Sequence, residues 1–186
     1  ICDKQSFLIS KWMGVGFVHG VMNTDNMLVS GETIDYGPCA FMDEYNPSIY
    51  FSSIDKHGRY SYKNQPAIMI WNLSKLAEAF IPLVDKNKEK AVIELSEVLN
   101  SAMPSYQEYF YIEMSKKFGL KNVDQEVINL INNYLKILMD NSVDFVLSFR
   151  DLGKLLSDNK KIDDTVFKNV KNFNNWYFEF LNLLSL

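Results

Sequence analysis

A mainly α chain with one small β-hairpin, running into a helical bundle, is the fold class that this sequence predicts. Three observations lead there. From Pro66 onward, apolar residues recur at helical spacing in successive blocks, most of them bounded by Gly, Pro, Asp or Asn. Only at Met27–Asp35 does the pattern change, to apolar strand, Gly turn and β-branched strand. A content of 47% hydrophobic and 23% charged residues in 186 supplies one domain with a real core and excludes wholesale disorder.

Taken in order, Asp3–Met13 spaces Phe7, Leu8, Lys11 and Trp12 as a helix, with Gly14 and Gly16 to end it. Val15–Val18 leads into His19-Gly20. Met27-Leu28-Val29 and Thr33-Ile34-Asp35 form the hairpin around Ser30-Gly31-Glu32, so antiparallel pairing sets Asn26 beside Asp35. Tyr36–Pro66 lacks periodicity and reads as a long ordered loop, a kind of segment that is usually functional. Six helices follow. The first, Ala67–Val84, has Trp71, Leu73, Leu76, Phe80 and Leu83 as expected core and an interruption near Pro82. Next come Lys88–Ser101, Pro104–Phe118 stopped by Gly119, and a helix capped by Asp124 and ending near Met139. The last two are Ser142 or Asp144 to Ser157, and Asp163 or Asp164 to Leu184. Residues 1–186 thus read as a single domain, 1–66 holding the chemistry and 67–186 the helical portion. Tyr106, Phe110 and Trp176 join the expected core by helical spacing.

Composition narrows the function. The net charge is −4 and Arg59 and Arg150 are the two arginines, which argues against a nucleic-acid surface. Cys2 and Cys39 make neither a disulfide framework nor a zinc site and fit a reducing compartment. No stretch reaches the roughly 18 uninterrupted apolar residues of a membrane span. A cytoplasmic setting follows, or a mitochondrial one for a eukaryotic source. Asn72-Leu73-Ser74 matches a glycosylation sequon but falls inside a helix. His57 sits in a polar loop and reads as solvated, and Lys86–Lys90 as a solvated helix entry.

The chemistry concentrates in His19-Gly-Val-Met-Asn-Thr-Asp-Asn26, followed by Asp35-Tyr-Gly37. Acidic and amide oxygens grouped this way suit a hard divalent cation held against a polyphosphate. Kinase-like phosphotransferases share the plan of a loop opened by His, an Asn ligand, a short hairpin, and a second ligand in Asp-x-Gly. Asn26 and Asp35 occupy the two ligand positions, and His19 would brace the Asp35 turn from the core. The usual catalytic Asp, five residues before the Asn, is replaced by Val21, which cannot take a proton; the carboxylate stands instead at Asp25. Read without further context, Asp25 is equally a turn or cap carboxylate.

These residues, with Gly58-Arg-Tyr60, Asn64-Gln-Pro-Ala67 and Trp71-Asn-Leu73, resemble the SelO (YdiU) family, kinase-like enzymes that transfer AMP from ATP to protein hydroxyls. Weaker similarity at Asn141–Phe145, Phe149-Arg150 and Phe173–Trp176 extends it over nearly the whole chain. The resemblance implies a protein-kinase-like C-lobe followed by a helical bundle. It implies Asp25 as catalytic base, Asn26 and Asp35 as ligands of Mg²⁺ (or Mn²⁺), and Asp35 also against ATP. It further implies Ser, Thr or Tyr hydroxyls of proteins as acceptors, and ATP bound so that its α-phosphate faces them.

Departures set further expectations. The Gly-rich strand-loop, Lys and Glu of a nucleotide lobe do not precede His19, so the chain reads as a C-terminal-lobe fragment, inactive alone. The cysteine or selenocysteine tail of many members is missing, and Phe51–Asp55 lacks their loop Cys and His. Cys39 reads as a bystander. Arg59 is open between contacting phosphate and anchoring its loop through a carboxylate. Two alternatives to AMP transfer stand beside it: a phosphotransferase acting on protein or small-molecule hydroxyls, and a non-catalytic helical binding module.

Overall fold

The computed structural model describes residues 1–157 and 161–184. In chain order the elements are α1 (Cys2–Val15), β1 (Phe17–Val18), β2 (Ala40–Phe41), α2 (Gln65–Val84), α3 (Lys88–Asn100), α4 (Ala102–Lys117), α5 (Gln125–Asp140), α6 (Phe145–Ser157) and α7 (Phe173–Leu184). Short 3-10 turns occupy Thr24–Asn26, Tyr62–Asn64 and Ile162–Asp164. The two strands pair in one small sheet. The chain divides into two compact units, Ile1–Ala40 with Ser48–Phe110, and Phe41–Pro47 with Tyr111–Leu186.

In the first unit α2 packs on α1 and α3. Its core is built from Ile9, Trp12, Met13, Phe17, Val18, Met22, Tyr62, Ile68, Met69 and Leu73, each less than one-tenth exposed. Burying such side chains contributes about 1.5–3 kcal/mol apiece. Gly16, not Gly14, ends α1: it adopts the left-handed conformation at φ 73° and its N–H reaches back to the Met13 carbonyl. Ser6 donates to the Ala102 carbonyl at 2.8 Å and Tyr109 to Asp3 at 2.7 Å, fastening the start of α1 to α4. α3 opens on Asn87, whose side chain accepts from the N–H groups of Glu89 and Lys90.

Three expectations for this unit need correction. α2 does not break at Pro82, because so near the C-terminus a proline forfeits little of the helical ladder. Trp71, Phe80 and Leu83 are not core: they are 43%, 38% and 76% exposed, while the buried stripe is Ile68, Met69, Asn72 and Leu73. The helix is apolar on more than one side, so periodicity alone could not choose the face. By length and composition Tyr62–Val84 would suffice to cross a membrane. Its buried amides Gln65 and Asn72, however, are bonded to backbone of the same unit. The expected hairpin, finally, reduces to a single antiparallel bridge, Met27 with Thr33.

The second unit is an aromatic core. Phe118 lies 5.1 to 5.7 Å from the rings of Tyr134, Phe149, Trp176 and Phe180, mostly edge-on. The Trp176 indole donates to the Leu130 carbonyl at 2.9 Å, joining α7 to α5. Asp124 caps α5 by accepting from Val127 N–H, as expected, and Asp144 accepts from Leu147 N–H at the start of α6. Tyr45 stacks on Phe145, 5.5 Å away, and burial pushes its phenol up to about 12. The last helix is shorter than expected. Asn169 and Asn172 sit at φ 61° and 65°, a left-handed conformation that a helix cannot absorb, and α7 begins only at Phe173. Trp176 and Tyr106 are buried as expected; Phe110 is half-buried.

Candidate functional site

The chemistry-bearing turn is fastened from beneath by buried polar groups. His19 is fully buried, with its ring stacked on Trp12 at 5.3 Å. Its Nε2 lies 2.7 Å from the Ile34 carbonyl, and Val21 N–H points at Nδ1 from 3.4 Å. A proton on Nε2 satisfies both contacts, so the neutral ring donates to Ile34 and accepts from Val21. Trp12 adds a 2.9 Å hydrogen bond to the Thr33 hydroxyl. The strand carrying Thr33 and Ile34 is therefore tied to α1 and to His19. Next to the single bridge, the Ile34 carbonyl is engaged by the imidazole and the Asn26 N–H by the Asn23 carbonyl at 3.0 Å, so neither joins a ladder.

Beyond Ile34 the backbone turns sharply. Asp35 takes φ 54°, a left-handed conformation in which Asp is better tolerated than most side chains, and Gly37 N–H donates to its carbonyl at 2.7 Å. Its carboxylate is exposed. Pro38, next along, presses on Gly20, which is at φ 85°. His19-Gly20 and Ile34–Pro38 thus meet at two points, the imidazole at Ile34 and the glycine at Pro38.

Asp25 and Asn26 lie in the 3-10 turn Thr24–Asn26. The Asn26 side chain donates to the Val21 carbonyl at 3.0 Å, which commits its NH₂ and leaves the amide oxygen without a protein donor among the described residues. Asp25 is exposed. The three sequence-predicted residues stand on the same side of the Met27–Thr33 bridge, Asp25 and Asn26 before it and Asp35 after it. No hydrogen bond joins any two of them. Among the described residues no three His, Cys, Asp or Glu side chains group into a metal cluster. The oxygens present are one carboxylate and one oriented amide, a donor set that fits Mg²⁺, which keeps waters and takes phosphate oxygens for its other positions.

Residues that lay in the quoted motifs but were given no role from the sequence hold this turn in place. Gln65, fully buried at the start of α2, accepts from His19 N–H at 3.0 Å and donates to the Phe17 carbonyl at 2.9 Å. Asn72, seen beforehand in the Trp71-Asn-Leu73 motif and in a sequon, donates to the Met22 carbonyl at 3.0 Å. Tyr60 donates to Asn23 Oδ1 at 2.6 Å. The available signal was an amide in an apolar helical run, at Gln65 before Pro66 and at Asn72 within α2. Asp55 anchors the preceding loop by accepting from the N–H groups of Arg59 and Tyr60 at 2.9 and 2.8 Å. The Arg59 guanidinium makes no carboxylate pair among the described residues and lies over the Trp71 ring at 4.7 Å. Cys2 and Cys39 are free thiols and His57 is exposed.

Comparison with known proteins gives this helical scaffold and its braced turn a family. Residues 1–185 match the family described as "Protein adenylyltransferase SelO", and the chain belongs to that family. It is 48% identical over 160 residues to "Protein nucleotidyltransferase YdiU" of Maridesulfovibrio salexigens, covering 86% of this chain and 32% of that protein. The protein of the same name from Rhizobium etli strain CIAT 652 is 42% identical over 187 residues, or 100% of this chain and 37% of its own length. That of Mycobacterium sp. strain KMS is 46% identical over 177 residues, 95% and 37%. The chain spans about a third of the length of the curated relatives it matches.

Proposed function

We propose that this chain is the base- and metal-bearing part of a protein adenylyltransferase that moves AMP from ATP to Ser, Thr or Tyr hydroxyls of proteins, in a setting like the C-lobe of a protein kinase. The observation that carries the reading is the pair of restraints on the candidate ligands. The Val21 carbonyl holds the Asn26 NH₂ group, and the His19–Ile34 contact fixes the segment that leads into Asp35. Asn26 and Asp35 would hold Mg²⁺ (or Mn²⁺), with Asp35 also beside the nucleotide. The cation supplies charge neutralisation on the phosphates when bound. Asp25, exposed and tied to no partner, would take the proton of the acceptor hydroxyl. The hydroxyl oxygen bonds to the α-phosphorus, the bond from that phosphorus to the β-phosphate bridge breaks, and pyrophosphate leaves with the electron pair. The compartment consistent with two free thiols is the cytoplasm.

The test uses the full-length gene product with Mg²⁺ and ATP labelled at the α- or the γ-phosphate. Label from the α-position on protein supports AMP transfer. Label from the γ-position alone makes the protein a phosphotransferase, and neither label with ATP still bound makes it a binding module. Asp25→Ala should spare nucleotide binding and lower the rate about 10²–10⁴-fold, the range for a lost general base. Asp35→Asn keeps the side chain's size and its tolerance of positive φ while removing the charge, so metal-dependent ATP binding should fail. Unchanged Mg²⁺–ATP affinity would sink the metal assignment.

A further inference from the structure

A cationic corner lies next to the candidate turn and has no role in the reading above. Lys56, His57 and Arg59 line one open cavity of about 650 Å³, with Ile54, Ala67 and Ile68 as apolar wall. Asp55 also borders it, but both its oxygens are spent on the Arg59 and Tyr60 backbone. The wall therefore carries two cations, Lys56 and Arg59, against one carboxylate whose oxygens are turned to backbone N–H groups. The guanidinium of Arg59 is held over Trp71 at 4.7 Å and near Tyr60 at 5.7 Å, with the Lys75 ammonium 5.8 Å from the same indole. Stacked in this way, a guanidinium keeps its edge N–H groups free for a planar anion and loses little rotamer freedom when one binds.

The corner is also mechanically part of the turn. Tyr60, the residue after Arg59, holds Asn23, while Asn72, the residue after Trp71, holds Met22. These neighbours lead directly into Thr24–Asn26, where Asp25 stands.

We propose that this corner is the acceptor-recognition subsite, taking an Asp or Glu carboxylate of the protein segment whose hydroxyl is modified. The inference rests on the adenylyltransferase reading and names the acceptor chemistry for it. A carboxylate meets Arg59 edge-on, Lys56 adds positive charge, His57 offers a ring N–H, and Ile54, Ala67 and Ile68 receive the methylenes of the same side chain.

The experiment uses the full-length protein, Mg²⁺ and α-labelled ATP with synthetic peptides that each carry one hydroxyl acceptor. The hydroxyl is flanked by Asp and Glu, by their amide isosteres Asn and Gln, or by Lys. The wild type should favour the acidic peptide over the amide one in kcat/KM by roughly tenfold, the scale of one charge-assisted hydrogen bond, and salt should erode that ratio. Arg59→Gln should remove most of the preference by raising KM for the acidic peptide, with kcat and KM for ATP unchanged. Lys56→Gln, at an exposed position, should act in the same direction by a smaller factor. An unchanged ratio in Arg59→Gln while AMP transfer persists overturns the subsite alone, and so does a raised KM for ATP, which would make Arg59 a nucleotide contact. No AMP transfer to any peptide or protein removes the activity itself and this inference with it.

Discussion

At Gly20 the backbone sits at φ 85°, and a Cβ built there would lie 2.9 Å from the Pro38 carbonyl oxygen. Alanine would therefore meet two penalties: the left-handed conformation, about 1–2 kcal/mol, and displacement of the Asp35–Pro38 segment. Gly20→Ala should lower thermal stability measurably and depress AMP transfer by the full-length protein further than the stability loss explains. Retained activity at a temperature where the variant stays folded would show that this contact does not position Asp35. Asp35 itself, at φ 54°, is the one non-glycine residue of the turn held in the left-handed region. Backbone strain gathered at a turn of this kind is the pattern of a site that geometry must over-determine.

At the scale of elements, α2 does more than cover a core. Its first turn delivers Gln65 to the β1–His19 stretch and its second delivers Asn72 to Met22. Gln65→Leu fills similar volume but strands the His19 N–H and the Phe17 carbonyl, at roughly 1–3 kcal/mol for each buried group left unpaired. Denaturant unfolding should show that loss, while Gln65→Glu, which keeps an acceptor for His19 N–H, should recover part of it. Element positions were largely legible beforehand: Asp124 at its cap and Gly119 after α4 announced their boundaries through local chemistry. Two things were not. The Met27–Asp35 segment carries a hairpin pattern, but its Ile34 carbonyl bonds a side chain fifteen residues earlier, a tertiary contact that no local rule contains. The exposure of Trp71 and Phe80 was equally hidden, because an all-round apolar helix does not declare its buried face. Asp25, Asn26 and Asp35 could be singled out by residue type and spacing, whereas the amides that hold their turn could not.

In α6, Asp151 tests the electrostatics of the second unit. Burial pushes its carboxyl up, but the Lys154 ammonium at 2.8 Å, the Val166 N–H at 3.0 Å and the nearby charges of Lys154 and Arg150 outweigh that and hold it below the usual carboxylate value. A folded value lower than the unfolded one gives stability that is present above the unfolded value and lost as pH falls through the folded one. The unit should thus weaken as pH drops below about 4, where unfolded Asp titrates. Asp151→Asn should flatten that part of the acid-unfolding profile, and an unchanged profile would show that the carboxylate contributes nothing there.

Over the whole molecule, stability is carried by two separately built cores, one braced by polar side chains and one dominated by aromatic rings. Phe118, 2% exposed, is surrounded by four rings of the second. Phe118→Ala should cost about 3–5 kcal/mol and speed hydrogen exchange at the Trp176 indole N–H, now sheltered by its bond to Leu130. The Gln65–His19 hydrogen bond has a bearing of another kind, on the order of events during folding. It joins residues 46 positions apart, a closure whose entropy costs roughly 3 kcal/mol before any contact rewards it. Helices can form within microseconds from local sequence alone, but the turn at Asp25 must wait until that long circuit is closed. On a refolding chain, then, helical structure should come first and the turn at Asp25 last, and a pulse-labelling experiment should find the Val21 and Asn26 amides protected later than those of α1.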